Sequence, residues 1–371
     1  MHIRLVMIVK NEAHVIRRCL DSARPLLSSW CIVDTGSTDG TQEIIREHLS
    51  DLPGVLHERA WVQETVNRNE ALDLAREHFA PGYLFVIDAD EVVEVLAVQP
   101  LPPEGPDAYA VKLRMGASHE FDRVSLVRSD VSTRYFGTGK IAGIHPTIMR
   151  ADHTPLDAVR WYGFRVLPYP DGASWKEVGK YQRHADLLQQ DADADPTNSR
   201  VCFYLAQSYR DASKFVEGVD RVVLRVRAQA EYRRRVAMGD AGFAEERWVA
   251  AWEAAQIDGL LGNNPTDALL AAHMLRPQRA ECFWALAQWN NQRGNYALAY
   301  SYAAAAVKLD RVEGERLFVD RSVYRWRVWE ELGYAAYYTD RRDEARIAFR
   351  RALAECALED EPRMTRNLEC C

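Results

Sequence analysis

Along the first half of the chain, short apolar runs alternate with stretches whose apolar residues recur every three or four positions. Ile3 to Val9 is such a run, interrupted only by Arg4, Trp30 to Val33 and Tyr83 to Ile87 are others, and Val55 to Glu58 reads as a strand between them. Runs of four to seven residues bounded by polar segments predict buried strands. Between them, Glu12 to Leu27, Thr41 to Leu49 and Thr65 to His78 carry helical spacing, with Val15, Cys19 and Leu20 sharing one face of the first. Strand–helix alternation of this kind predicts a mostly parallel, doubly wound sheet. Tyr109 to Leu113, Ser125 to Arg128 and Thr147 to Arg150 predict further strands, and the prolines between Pro100 and Pro106 exclude regular structure there.

The period changes near Ser174. Beyond Pro168-Tyr169-Pro170-Asp171-Gly172, glycine and proline thin out, and alanine, leucine, arginine and tryptophan recur at helical spacing. We therefore expect an α/β domain over residues 1–172 and an all-α domain over 173–371. Within the second, Trp329, Leu332, Gly333, Ala345, Phe349 and Ala352 fall on the large, apolar, small, small, aromatic, small spacing of a tetratricopeptide helix pair. Phe283, Leu286, Ala287, Gly294, Ala299 and Ala306 give a looser copy, and Leu205, Ala206 and Tyr209 suggest another. The competing account is an ordinary helical bundle with tryptophan in its core.

Composition narrows the classes. With 371 residues, 47% hydrophobic and 27% charged, the chain has the material for two globular cores. A formal net charge of -7 offers no basic excess for nucleic acid. The apolar start, Met1 to Val9, is cut short by Lys10, Asn11 and Glu12, unlike a secretory leader, and no run reaches the roughly 20 apolar residues of a membrane span. Seven scattered cysteines, an odd number without metal-type spacing, point to reduced thiols in a cytoplasmic setting.

Two acidic loops stand where the predicted strands end. Asp88-Ala89-Asp90-Glu91 follows Leu84 to Ile87, and two carboxylates flanking a small residue can share one hard divalent cation. Such a cation would offset the charge that builds on a departing diphosphate. Asp34-Thr35-Gly36-Ser37-Thr38-Asp39-Gly40-Thr41 follows the second strand, with glycines for unusual backbone angles and helix-capping residues between them. Ligands of doubly wound sheets bind beyond the carboxyl ends of the strands, where both loops lie.

Together with Val9-Lys10-Asn11-Glu12 and Arg68-Asn69-Glu70-Ala71-Leu72, these motifs resemble family 2 glycosyltransferases over roughly the first 150 residues. The resemblance implies a GT-A fold and a nucleotide-sugar donor, UDP-sugar by default. It implies that Ile8, Lys10, Asn11, Asp34, Arg68, Asp88 and Ala89 contact the donor. Asp34 would bind base or ribose, Asp39 would shape its loop, and Arg68 would face the diphosphate. Thr35 stands where many members carry a second aspartate. Asp88 and Asp90 of the Asp-x-Asp motif would hold Mn2+ or Mg2+, joined by His145, which here precedes Pro146 rather than a glutamate. Glu91 is expected as a supporting group or at a helix start. The family is generally inverting, so one carboxylate takes the acceptor's proton. Glu120 is the chosen base, in an expected loop that also holds Asp122.

The acceptor is expected to be a protein or peptide, because helical repeats form concave surfaces suited to extended chains, or else a glycan. A homodimer through the helical domain is the remaining partner. Two other readings compete. One is a catalytically inactive GT-A relic that serves as a helical-repeat scaffold. The other is a nucleotidyltransferase, which usually needs a glycine-rich basic loop where this chain has Lys10-Asn11-Glu12.

Overall fold

A computed structural model describes residues 2–96, 105–115, 119–175, 177, 179–309, 315 and 317–371. The chain forms two compact units, Met1–Gly116 with Phe121–Asp195, and Ala117–Glu120 with Pro196–Cys371. The proline-rich stretch expected to be irregular lies largely outside the described residues.

The first unit runs β1 (Ile3–Val9), α1 (Ile16–Ala23), β2 (Ser29–Asp34), α2 (Thr41–His48), β3 (Gly54–Glu58), α3 (Glu64–His78) and β4 (Tyr83–Val86). It continues with β5 (Glu91–Val95), β6 (Ala108–Met115), β7 (His119–Arg128), β8 (Thr133–Thr138), β9 (Ile144–Arg150), β10 (Ala158–Pro168) and α4 (Lys180–Ala194). The main sheet has the order β3-β2-β1-β4-β7-β6-β10-β5, and β8 and β9 form a separate pair. Strands β1 to β4 are mutually parallel, whereas β7 runs antiparallel to β4 and β10 antiparallel to β5, so the sheet is mixed.

Alternation explains how the parallel half is covered. Leu5, Met7 and Val9 of β1 pack with Ile16, Cys19, Leu20 and Ile45 on one face. Val6 packs with Cys31, Val33, Ala71, Leu72 and Ala75 on the other. Side chains two residues apart share a face, so a strand that is apolar at all but Arg4 is buried on both sides. Helices α1 and α2 thus cover one face and α3 the other. The first helix is shorter than its spacing suggests. Residues 12–15 form a turn, and Pro25, which has no backbone N–H, sits in a 3₁₀ turn over Arg24–Leu26.

The sheet unit extends past the change of period near residue 172. Asp191 on α4 accepts hydrogen bonds from the backbone N–H groups of Lys140, Ile141 and Ala142 at 2.8–3.2 Å, and ties that helix to the loop before β9.

The second unit contains α5 (Ser199–Ala212), α6 (Gly218–Ala237), α7 (Ala244–Leu260), α8 (Thr266–Leu275), α9 (Glu281–Asn291) and α10 (Tyr296–Ala306). A π-helical turn, Val323–Arg327, runs into α11 (Val328–Tyr338), followed by α12 (Arg342–Glu355) and α13 (Glu361–Glu369). The repeat-like positions do what the spacing asks of them. Ala345 and Ala352 of α12 are fully buried, Ala345 in a cluster with Ala336 of α11 and Ala352 with Trp326 and Met364. A Cβ at Gly333 would lie 2.7 Å from the Phe349 ring, closer than carbon atoms approach. Gly333→Leu is therefore expected to destabilise this unit by about 1–3 kcal/mol through overpacking, despite leucine's better helix propensity. Urea unfolding followed by helical circular dichroism measures this, and an unchanged midpoint would mean the two helices are not pressed together there.

Candidate active site

Strands β1, β2 and β4 end at the same edge, with Val9 opposite Asp34 in the β1–β2 register. The loops that follow them gather the predicted chemistry. The order reverses between β1 and β4, the switch point at which ligands enter such sheets.

The loop after β2 folds around Asp34. Its Oδ1 accepts the backbone N–H of Gly36 at 2.9 Å, that of Ser37 at 2.8 Å, and the Gln42 side chain at 3.1 Å. Its Oδ2 is buried without a hydrogen-bond partner. Buried polar atoms are nearly always paired, so this oxygen has the capacity to take a donor from a ligand. Gly36 and Gly40 supply positive φ, +106° and +92°. Asp39 accepts from the backbone of Ala13 at 3.0 Å and of Thr41 at 3.1 Å, which is a loop-shaping arrangement. Asn11, itself at φ +57°, locks the two loops together: its Oδ1 accepts Thr38 N–H and its own N–H reaches Ser37 Oγ, both at 2.8 Å. Thr35 donates its hydroxyl to the Val9 carbonyl at 3.0 Å, so it serves the sheet edge. Ile8 is half-buried on β1, and Lys10 is exposed just beyond it.

Asp88, Ala89 and Asp90 form a turn between β4 and β5. Arg68 Nη2 on α3 donates to Asp88 Oδ1 at 2.9 Å, and its Nε donates to Glu64 at 3.1 Å. Burial alone would raise the Asp88 carboxyl, but the charges of Arg68 and Arg123 outweigh it and hold it below its ordinary range. Asp90 goes the other way, pushed up to about 6 by burial and then by the negative charges of Asp88 and Glu91. Glu91 opens strand β5 rather than a helix. It receives both Nη atoms of Arg123 at 2.7 Å and accepts the Asp88 N–H at 3.1 Å, which braces the turn.

Several site residues carried no sequence signal. The segment after β10 crosses the acidic turn, because β10 pairs with β5 and sets Pro168 opposite Glu91. Trp175 Nε1 donates to Asp90 Oδ2 at 3.0 Å, and Tyr169 N–H donates to the Asp90 carbonyl at 3.0 Å. A Cβ on Gly172 would stand 2.7 Å from Asp90 Oδ2. Asp171 takes a two-pronged bond from Arg18, both arms 2.8 Å. Glu12 accepts the Ala173 N–H at 3.1 and 3.2 Å, and its carboxyl is raised to about 7, by burial first, with Asp90 and Asp88 adding to it. Glu12 was visible in the sequence only as part of a motif; its surroundings depend on Asp88 and Asp90 and on the Ala173 N–H, 161 positions along the chain.

A divalent cation suits this set. The Asp90 carboxyl is raised by burial and by Asp88 and Glu91, and the Glu12 carboxyl by burial and by Asp90 and Asp88, an excess of negative potential that a bound cation would offset. Among the described residues no three His, Cys, Asp or Glu side chains group into a full cage. Two carboxylates suit a cation that keeps water and diphosphate oxygens in its remaining positions. The structure does not gather His145 into such a cluster. That residue begins β9 at φ +49°, its ring edge-on to His184 with centroids 6.3 Å apart. Glu120 is a correction of another kind. It lies in strand β7 rather than a loop, opposite Val319, and Arg321 Nη1 meets its Oε2 at 2.5 Å. Asp122 lies in the same strand, paired with Arg160 at 2.7 Å and Lys112 at 3.7 Å.

A mixed α/β sheet with acidic loops at the ends of its parallel strands, followed by a helical-repeat unit, is the GT-A arrangement with a helical extension. Residues 5–103 match the family model for glycosyl transferase family 2, which places a glycosyltransferase domain in the first unit. No curated protein matches the chain significantly. Solved structures similar to part of it include MamA, at 19% identity over 52% of this chain and 97% of that one, TM-score 0.36. YrrB, titled a TPR protein with an unusual peptide-binding site, matches at 12% identity over 52% and 84%, TM-score 0.36. The Cut9–Hcn1 complex matches at 14% identity over 52% and 33%, TM-score 0.37. Scores this low carry no function from those proteins to this chain. Among the described residues no helix is long and apolar enough to cross a membrane.

Proposed function

We propose that the chain is an inverting, metal-dependent glycosyltransferase that moves a sugar from a nucleotide diphosphate, UDP by family default, to a protein, peptide or glycan acceptor. The observation that carries this reading is the convergence at one sheet edge of Asp34, with its unpaired buried oxygen, and the Asp88–Asp90 turn beside Arg68. Asp34 Oδ2 takes a hydrogen bond from the nucleoside. Arg68, held by Glu64, turns its guanidinium from Asp88 toward diphosphate oxygens, where a planar fork grips well. A cation at Asp88 and Asp90, Mn2+ or Mg2+, supplies charge neutralisation of the diphosphate when bound.

Transfer forms a bond from an acceptor oxygen or other nucleophile to the anomeric carbon as the bond to the diphosphate oxygen breaks. The electron pair leaves with the diphosphate, and the acceptor's proton passes to a carboxylate. Glu120, the base expected from the sequence, is already engaged by Arg321. The buried, free thiols of Cys19, Cys31, Cys202 and Cys282 support a reducing, cytoplasmic setting.

Titration calorimetry of UDP with and without MnCl2 tests the donor half. We expect Mn2+-dependent binding that Asp34→Ala weakens roughly tenfold, the cost of removing a buried hydrogen-bond partner of the ligand. No binding, or binding indifferent to Asp34 and Asp90 together, would sink the transferase reading and leave the scaffold reading standing.

A further inference from the structure

The helical unit contains a cavity of about 780 Å³, walled by α9, the π-helical turn, α11 and the residues leading into α13. Its size is that of a small-molecule pocket, roughly 300–1,000 Å³. Its chemistry is unusual for a packing defect, since aromatic rings alternate with planar polar groups.

The charges inside are already matched. Arg363 pairs with Glu330 and, at 2.6 Å, with Asp360. Arg327 pairs with Asp320 at 3.4 Å and lies over both Trp284 and Trp326, at 5.4 and 5.5 Å from their ring centres. Glu331 is buried and receives Asn291 Nδ2 at 2.8 Å. Burial raises its carboxyl above the ordinary range, which favours its neutral form. Of the lining carboxylates only Glu359 lacks an ion pair or hydrogen bond among the described residues, and it is solvent-exposed.

What stays unmet is neutral. Trp284 Nε1–H, a donor, and Asn291 Oδ1, an acceptor, are both shielded from solvent without a hydrogen-bond partner. Both residues line the cavity. Tyr338 adds a platform, more than half exposed and stacked on Tyr296 with ring centres 4.2 Å apart and planes within 15°. The π-helical turn that carries Trp326 and Arg327 is itself a rare feature, common at functional sites.

We infer that this cavity binds a neutral saccharide, whose C–H-bearing ring face packs on the exposed Tyr338 ring while its hydroxyls satisfy Trp284 and Asn291. The alternatives fit less well. A lysine- or arginine-bearing peptide asks for free buried carboxylates, and these are taken. An anion asks for a free arginine, and both are paired. A purely apolar side chain would leave the donor and the acceptor unmet. The transferase reading enters at one point only: under it, the bound glycan is the acceptor, which narrows the acceptor class from protein or glycan to glycan.

The test uses the full chain on an array of neutral di- to hexasaccharides built from gluco-, galacto-, manno- and N-acetylhexosamine units, with hits measured by calorimetry. Basic and neutral peptides are the comparison. At least one neutral oligosaccharide is expected to bind. Trp284→Phe, which keeps a ring and loses the N–H, and Tyr338→Ala, at an exposed position, are each expected to weaken it by roughly tenfold or more. Unfolding temperature and UDP–Mn2+ binding should stay unchanged in Tyr338→Ala. No saccharide binding, binding indifferent to both variants, or peptide binding in its place overturns the inference. Donor hydrolysis separates the two ideas. If hydrolysis is intact and saccharide binding is absent, only the cavity assignment fails. If saccharide binding is present and hydrolysis is absent, only the transferase reading fails.

Discussion

Asp90→Asn is expected to lower metal-dependent turnover by roughly 10²–10³-fold, the scale seen when one preorganised electrostatic contact to a developing charge is removed. The same change is expected to stabilise the metal-free protein. The Asp90 carboxyl sits near 6 in the fold against an ordinary value of 3.8, raised by burial and by Asp88 and Glu91. The fold therefore favours the protonated form. The stability linked to it is full below the ordinary value and is lost as pH climbs through about 6. Asparagine cannot ionise and loses none of it. The difference in Tm between variant and wild type should thus open from about pH 4, level off above about pH 7, and amount to a few degrees. Adding Mn2+ should close the gap by stabilising the wild type alone. A Tm difference that is flat across this range, or turnover that survives the substitution, would remove Asp90 from the role given to it.

Glu281→Ala is expected to have the largest effect on the helical unit. Its carboxylate receives Arg279 Nη2 at 2.6 Å and the Tyr324 hydroxyl at 2.7 Å. The Arg279 and Glu281 side chains are only 1% and 4% exposed, so solvent cannot stand in for either partner. Arg279 also covers the Trp248 ring at 3.5 Å and donates to the Leu317 and Phe318 carbonyls. Breaking a buried pair by removing one member leaves a charge uncompensated and costs about 3–5 kcal/mol. Glu315, whose carboxylate lies 3.5 Å from Arg279 Nη1, softens the loss toward the lower end. Replacing both members, as Arg279→Met with Glu281→Leu, should recover most of it, since well-packed apolar residues often match a buried ion pair. Denaturant unfolding of the three proteins measures the cycle. A Glu281→Ala loss below about 1 kcal/mol would mean that water reaches Arg279.

The legible part of this protein is its local part. Strands such as Ile3–Val9 and helices such as Thr41–His48 follow from periodicity within a few residues of chain. The acidic turn was readable because it follows a buried strand. Strand β10, residues 158–168, was not readable, because its pattern mixes exposed and buried positions and its partners β6 and β5 are remote in sequence. Glu91 was read as a supporting group or a helix start for the same reason: Val92 to Val95 become a strand only when β10 arrives. Trp175 and Asp171 touch the site through that pairing, and nothing within their own neighbourhoods announces it. In the helical unit the spacing of Trp329 through Ala352 was enough to place a helix pair. The cavity chemistry was not, because it combines α9, α11 and the approach to α13 with a π-helical turn that spacing does not reveal.

The crossing of the acidic turn by the segment after β10 also bears on the order in which the protein assembles. Residues 5–103, the stretch that matches the family model, include the Asp88–Asp90 turn and β5, but not β10, the strand against which β5 lies. During synthesis, Glu91–Val95 waits as an unpaired edge until at least residue 168 has emerged, and Asp90 receives Trp175 later still. Pairings so distant in sequence close slowly, and an exposed strand edge invites wrong partners meanwhile. The candidate site is thus among the last parts of its unit to form, and a shortened chain ending after β7 would hold every predicted donor-binding residue without a finished site.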